Sequence, residues 1–87
     1  MYYVYVLISL KDGKFYTGFT ENLKKRLAEH NEGATKSTNY RRPFELIYYE
    51  ACRNRKDALN REKYLKTTYG KRYLRSRLKN DLGKVDD

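Results

Sequence analysis

The sequence predicts an α+β fold in which one three-stranded sheet is flanked by helices, in the order β-β-α-β-α-α. Three segments are rich in β-branched and aromatic residues and too short for core helices, namely residues 2–9, 14–20 and 44–52. Two further segments place apolar residues at helical spacing behind capping residues, and a basic segment follows them. The length of 87 residues fits one domain, and packing helices on a single sheet buries its apolar surface.

The first two strands form a hairpin whose register the sequence leaves open. Residues 11–14 form the turn, because their Asp-Gly pair tolerates positive φ. A two-residue loop would pair Tyr5 with Thr20 and leave Tyr5 and Tyr16 about 13 Å apart along the strands. A four-residue loop would pair Tyr5 with Gly18 and make the two tyrosines diagonal neighbours. Gly18 would then leave room for the Tyr5 ring, whereas otherwise it is an ordinary strand glycine at a bulge.

Capping residues and glycines set the limits of the three predicted helices. Thr20 or Asn22 caps the first helix, the polar and basic residues 34–43 form a loop, and Asn54 caps the second helix. Gly70 is expected just after the second helix, and the tail from Asp81 is expected to fray. The helices therefore cover about 23–30, 54–67 and 71–79, and the domain covers residues 1–80, followed by a tail at 81–87.

The net charge of +9 is concentrated in one part of the chain. Residues 53–79 contain eleven Lys and Arg against two acidic residues, and so carry the whole excess. A basic face of this density favours nucleic acid, since a merely solubilising surface needs no such bias. The single cysteine excludes an internal disulfide, and neither a membrane span nor a signal peptide is recognisable. A cytoplasmic protein that does not enter a membrane is therefore expected.

Polar side chains occupy helix positions where packing favours apolar ones. Arg26 and His30 share a helix face with two leucines, and Glu62 falls on the face of Ala58 and Leu65. In the structural interpretation, Arg26 extends past the leucines, His30 caps the helix end, and Glu62 forms a buried ion pair with Arg26. In the functional interpretation, these groups and the strand tyrosines serve phosphodiester hydrolysis, which uses a metal on carboxylate oxygen, a base and cations for phosphate.

Two short motifs resemble the paired signature of the GIY-YIG nucleases. They are YVY at residues 3–5 and YTG at residues 16–18, with the second tyrosine eleven residues after Tyr5. The resemblance continues through KKRLAEH, which contains Arg26 and His30, and through LNREKYLK, which contains Glu62. It departs at Tyr3 and Thr17, where the family signature has glycine and isoleucine but varies.

This resemblance implies a three-stranded antiparallel sheet flanked by helices, and it favours the longer hairpin loop because both tyrosines belong to one site. It implies a metal-dependent DNA endonuclease, structure-selective or weakly specific, that acts in DNA repair or processing. Glu62 would hold one Mg²⁺ or Mn²⁺, and Arg26 would bind the scissile phosphate. Tyr5 would be the base for the attacking water, provided that the metal and Arg26 lower its pKa from about 10. Tyr16 and His30 would orient the water or assist the leaving group, with the proton assignments left open.

The chain resembles the small stand-alone bacterial members of that family, so DNA binding is expected to be dominated by backbone contacts and to weaken steeply with salt. RNA is less favoured as a substrate, because no exposed aromatic pair matches the usual RNA-binding pattern. A non-catalytic nucleic-acid-binding module on the same fold and a subunit that needs a protein partner or dimerisation remain as alternatives. The predicted DNA contacts are Lys36, Arg41, Arg42, Arg61, Lys66, Lys71 and Arg72.

Overall fold

The computed structural model describes residues 1–83 and confirms an α+β fold built on one three-stranded antiparallel sheet. The sheet order is β2-β1-β3, so the first strand is central and the second lies at an edge. The strands are β1 (Tyr2–Ser9), β2 (Phe15–Thr20) and β3 (Phe44–Cys52). The helices are α1 (Leu23–Glu32), α2 (Arg55–Leu65), α3 (Thr68–Arg77) and α4 (Lys79–Leu82), and one turn of 3-10 helix covers Asn39–Arg41.

The β1–β2 hairpin has the longer of the two predicted loops. Tyr5 lies opposite Gly18, and Leu7 lies opposite Tyr16. The last ladder bond runs from the Ser9 backbone N–H to the Lys14 carbonyl at 3.0 Å, and the chain turns between these two residues. The two tyrosines of the motifs are therefore diagonal neighbours on one face of the sheet.

The helices cover the two faces of the sheet separately, because side chains of β1 point alternately to opposite sides. Val4 and Val6 are fully buried against α2 and α3. Tyr5 and Leu7 are buried on the other face against α1. Each fully buried aliphatic side chain of this kind contributes roughly 1.5–3 kcal/mol. The core on the Val4 face also contains the buried residues Ala58, Leu65 and Leu74, and the core on the Tyr5 face also contains the buried Phe44.

The first helix begins and ends at residues that satisfy its backbone groups. The Asn22 side chain accepts from the Lys25 N–H at 3.1 Å, which settles the cap in favour of Asn22 over Thr20. The helix ends at Gly33, whose φ of 80° is the left-handed conformation that glycine adopts without strain. The helix therefore runs two residues beyond His30, which places His30 inside its last turn rather than at its end.

Gly70 lies after the second helix, as predicted, but inside α3, where it is buried, and not in a break before a helix that begins at Lys71. The second helix ends at Leu65, and the third begins at Thr68, where the Thr67 hydroxyl accepts from the Gly70 N–H at 3.1 Å. A Cβ at Gly70 would overlap the Tyr64 carbonyl oxygen. The glycine serves close packing between two helices and not helix termination, a use that sequence cannot distinguish from a stop signal.

The predicted tail begins inside a short helix. Asp81 and Leu82 belong to α4, so the helical part of the chain extends past residue 80. The remaining tail residues, 84–87, lie outside the described residues. Within residues 1–83, no helix has the length and apolar character needed to cross a membrane.

Candidate active site

The ring of Tyr5 extends from the central strand across the backbone of Gly18 on the edge strand. A Cβ at Gly18 would overlap the phenol oxygen and the ring carbon that bears it. The β1–β2 pairing is regular through this point, so Gly18 does not mark a bulge in that ladder. The missing side chain is therefore what allows the Tyr5 phenol to reach the β2 edge of the sheet.

A chain of hydrogen bonds leads inward from the Tyr5 phenol. The Tyr5 oxygen lies 2.8 Å from His30 Nε2, and His30 Nδ1 lies 2.9 Å from Thr38 Oγ1. Thr38 Oγ1 in turn donates to the Thr35 carbonyl at 3.4 Å. His30 is fully buried, and burial lowers its pKa, which favours the neutral imidazole. One assignment satisfies all three bonds: Tyr5 donates to Nε2, and Nδ1–H donates to Thr38.

Thr38 belongs to this series of hydrogen bonds, although the sequence did not indicate it. It is fully buried, and it fixes the plane and the tautomer of His30. Thr38 lies in the segment predicted as a polar loop, where no periodicity marks one threonine as different from its neighbours. The contact with His30 exists only because the loop folds back against the end of α1.

Tyr16 contributes a second ring beside this chain. Its ring centroid lies 6.4 Å from that of Tyr5 and 4.9 Å from that of His30, edge to face in the second case. Tyr16 is half-buried, whereas His30 is fully buried. Tyr16 is therefore the group that can meet solvent or a ligand directly, while His30 is reached through Tyr5.

Arg26 lies one helical turn before His30 and beside the same phenol. Its hydrogen bond with Tyr5 raises the pKa of the guanidinium above its ordinary value. Its Nη1 also pairs with Glu29 at 3.0 Å, and the Arg26 side chain is 33% exposed. The position predicted to hold a phosphate is thus cationic and partly exposed.

The pKa of Tyr5 shows how strongly its surroundings hold the proton on the phenol. Burial raises the pKa of Tyr5 to about 12, the hydrogen bond with Arg26 opposes this rise, and the charge of Glu62 adds to it. At neutral pH the phenol of the free protein is therefore protonated. Deprotonation of Tyr5 needs both an acceptor for its proton and additional positive charge nearby.

Glu62 lies on a helix on the other side of the sheet from α1. That helix, α2, covers the face opposite to α1, and the negative charge of Glu62 adds to the raised pKa of the Tyr5 phenol. Glu62 pairs with Lys66 at 3.0 Å, whereas Arg26 pairs with Glu29. The buried Glu62–Arg26 pair considered from the sequence is therefore not the arrangement that forms.

The donor set around Glu62 fits a hydrated divalent ion. Within residues 1–83, no group of three or more His, Cys, Asp or Glu side chains could enclose a metal. Mg²⁺ is commonly held by one or two carboxylates, with waters and substrate phosphates as its other ligands. Glu62 supplies one such carboxylate, with its side chain only 19% exposed. The residues present thus fit an ion completed by water and a bound phosphate.

Arg61, predicted to contact DNA, forms an ion pair with an acidic side chain of β3. Its Nε and Nη2 both lie 2.9 Å from the Glu50 carboxylate on β3. The guanidinium also lies 4.9 Å from the Tyr73 ring centroid. Arg61 thus joins α2 to β3.

The other predicted DNA contacts are spread over several surfaces. Arg41 pairs with Asp12 at 2.9 Å, and Lys66 pairs with Glu62. Arg72 lies over the exposed ring of Tyr69, with 5.8 Å to the centroid. The remaining predicted contacts are Lys36, Arg42 and Lys71, whose side chains are exposed. None of the three takes part in an ion pair seen within residues 1–83, so each can contact a ligand without breaking one.

Comparison with known proteins gives consistent matches. The model of the GIY-YIG catalytic domain matches residues 1–76. A UPF0213 protein of Clostridium perfringens is 46% identical over 67 residues, covering 76% of this chain and 71% of the relative. A UPF0213 protein of Pediococcus acidilactici is 43% identical over 77 residues, covering 85% and 78%. The solution NMR structure of a UPF0213 protein of Bacillus halodurans has a TM-score of 0.54 at 35% identity, covering 87% of this chain and 84% of that one.

Proposed function

The chain belongs to the GIY-YIG catalytic domain family, a nuclease family, and we propose on that premise that it is a metal-dependent endonuclease that hydrolyses phosphodiester bonds in DNA. One observation carries the proposal: three groups of complementary chemistry converge on the Tyr5 phenol. The Tyr5 oxygen lies 2.8 Å from His30 Nε2, and the pKa of the phenol, raised by burial, is lowered by the hydrogen bond with Arg26 and raised further by the charge of Glu62. A base, a cation for phosphate and a carboxylate for a metal are the parts that this reaction needs.

The order of the hydrogen bonds suggests how Tyr5 acts as the base. Water loses a proton to the Tyr5 oxygen while the original phenol proton moves to His30 Nε2, and the resulting hydroxide attacks phosphorus. Nδ1–H stays bonded to Thr38, so His30 carries the proton as an imidazolium. Arg26 binds a non-bridging phosphate oxygen, and the leaving oxygen takes a proton from water. A divalent cation on Glu62 would supply charge that neutralises the phosphate and favours the ionised phenol.

Replacement of His30 by Gln tests this proton path. A glutamine amide can accept a hydrogen bond from Tyr5 but cannot take up its proton. We expect the rate of DNA cleavage at pH 7 to fall about 10²-fold. The remaining rate should rise with pH, by roughly tenfold per unit from pH 7 to 10, because the ionised fraction of Tyr5 grows below its pKa. The measurement is the pH profile of single-turnover cleavage.

The wild-type profile serves as the control for this variant. Because burial lowers the pKa of His30, the neutral acceptor prevails above pH 6.5, and the wild-type rate should fall only as acid protonates His30. A His30→Gln protein that cuts at the wild-type rate with the wild-type profile would show that His30 is a packing residue only.

A direct cleavage assay tests the proposed function itself. Plasmid, nicked, flapped and single-stranded DNA are incubated with the protein in Mg²⁺, in Mn²⁺ and in a chelator. We expect nicking or cutting in either metal and none in the chelator, with little dependence on base sequence, since phosphate contacts carry no sequence information. Preference for nicks, flaps or ends would fit a role in DNA repair or processing in the cytoplasm. Binding without cleavage on every DNA would instead assign the non-catalytic module.

A further inference from the structure

A second positively charged site lies at the start of the edge strand, outside the candidate active site. It is a cleft of about 230 Å³, called here the β2 cleft, whose lining comes from the hairpin, the 3-10 turn and α3. Such a volume is ample for a phosphate group. The lining residues are Lys14, Phe15, Arg41, Lys71 and Arg75.

Two of the cationic groups are held in position. The Arg75 guanidinium lies over the Phe15 ring, 4.7 Å from the centroid. Arg41 donates to Asp12 at 2.9 Å and to the Lys14 carbonyl at 3.3 Å. Ordering these side chains in advance lowers the entropy that binding an anion would otherwise cost.

The charge of the β2 cleft is poorly compensated. The Asp12 carboxylate, which is paired with the cleft residue Arg41, is engaged by that contact, and the contact lowers the pKa of the carboxyl group to about 2. None of the ion pairs within residues 1–83 involves Lys14, Lys71 or Arg75. Several cations around one small cleft repel each other, and a bound polyanion removes that repulsion.

The cleft also lies in line with the candidate active site. Phe15 is three residues from Gly18 on β2, which is about 10 Å at 3.4 Å per residue. The far end of the same strand carries another ordered cation, since the Arg55 guanidinium lies 5.5 Å from the Phe19 ring centroid. The Tyr5 phenol crosses the strand between these two ends. Cations thus lie at both ends of β2, on the sheet face covered by α2 and α3, and α2 is also the helix that carries Glu62.

We propose that the β2 cleft is a second phosphate site, which holds a phosphate of the bound DNA strand about 10 Å from the scissile one. The inference rests on the proposed function for its substrate. It adds the direction of the bound DNA strand, which runs along β2. It also adds two residues not predicted as contacts, Lys14 and Arg75. A cleft of this charge recognises the phosphate and not the base.

The test measures binding separately from cleavage. In a Glu62→Gln background, the double change Lys71→Ala and Arg75→Ala is compared with Lys24→Ala and Arg53→Ala. Both pairs remove one lysine and one arginine, all of them exposed. The control pair lies near β3 and not in the β2 cleft, since Lys24 lines a pocket with Leu46 and Tyr49 of β3, and Arg53 directly follows β3. The affinity for a short fluorescent DNA is measured by anisotropy at several salt concentrations. The melting temperature of each variant checks its folding.

Loss of the β2 cleft cations should weaken DNA binding roughly tenfold or more and reduce the slope of log K against log salt by about 1–2, whereas the control pair should change affinity less than about threefold. The DNA is used with a 5′-phosphate and with a 5′-hydroxyl. A loss seen with both identifies an internal phosphodiester, and a loss confined to the first identifies a terminal phosphate. Equal losses in the two pairs, or none, would overturn the proposal. A protein that binds in this way but never cuts would overturn the proposed function alone.

Discussion

The change Glu62→Gln is expected to abolish DNA cleavage, with a loss of about 10³-fold or more in single-turnover rate, or about 4 kcal/mol of transition-state stabilisation. The charge of Glu62 adds to the raised pKa of the Tyr5 phenol, and within residues 1–83 no cluster of three metal-ligating side chains could replace Glu62. Glutamine keeps the size of the side chain but has no charge to hold a divalent ion. The measurement is the single-turnover rate over a range of Mn²⁺ concentrations.

The ion pair between Glu62 and Lys66 supplies a matched control. Lys66→Gln breaks the same 3.0 Å contact but keeps the carboxylate. The Lys66 side chain is 55% exposed, so its pair should contribute little to stability. We expect Lys66→Gln to retain cleavage within about tenfold, since it loses one phosphate-attracting charge and no metal ligand. If Glu62→Gln cuts as fast as wild type while Lys66→Gln does not, Glu62 is a helix-surface acid and the assigned metal site is wrong.

The change Gly18→Ala is expected to damage both the fold and the site. An added Cβ would overlap the Tyr5 phenol, and Tyr5 is 1% exposed and cannot swing into solvent. Moving the ring would break its 2.8 Å bond with His30 and leave two buried polar groups unpaired. Overpacking and the lost bond together should cost about 3 kcal/mol of unfolding free energy, measured by urea denaturation. Cleavage by the fraction that still folds should also be lost.

A second-site change separates the two effects. In the double variant Tyr5→Leu and Gly18→Ala, the shorter side chain no longer reaches position 18. Stability should recover by at least about 1 kcal/mol relative to Gly18→Ala, because the overlap is removed. Cleavage should remain absent, because the proposed base is missing. A Gly18→Ala protein with wild-type stability would mean that Gly18 is an ordinary strand glycine and that Tyr5 lies elsewhere.

The sequence by itself determined the three strands, the first three helices and the family. Aromatic and β-branched runs predicted the three strands, and Asn54 was correctly identified as the cap of α2, where its side chain accepts from the Lys56 N–H at 2.9 Å. These features depend on local backbone preference, which neighbouring residues decide. The polar residues on helix faces also stood out, because a charge at a packing position conflicts with the pattern around it. Their assigned roles at the site stay predictions for the variants above.

Only the tertiary structure decided what those residues meet. Both hairpin registers satisfied the Asp-Gly turn, and the fit of the Tyr5 ring over Gly18 belongs to one of them. Gly70 had the local signature of a helix stop, yet contact with α2 places it inside α3. Thr38 became the partner of His30 through the path of a loop. Such contacts join residues of different elements, and packing of the whole domain selects among partners that local preference leaves equivalent.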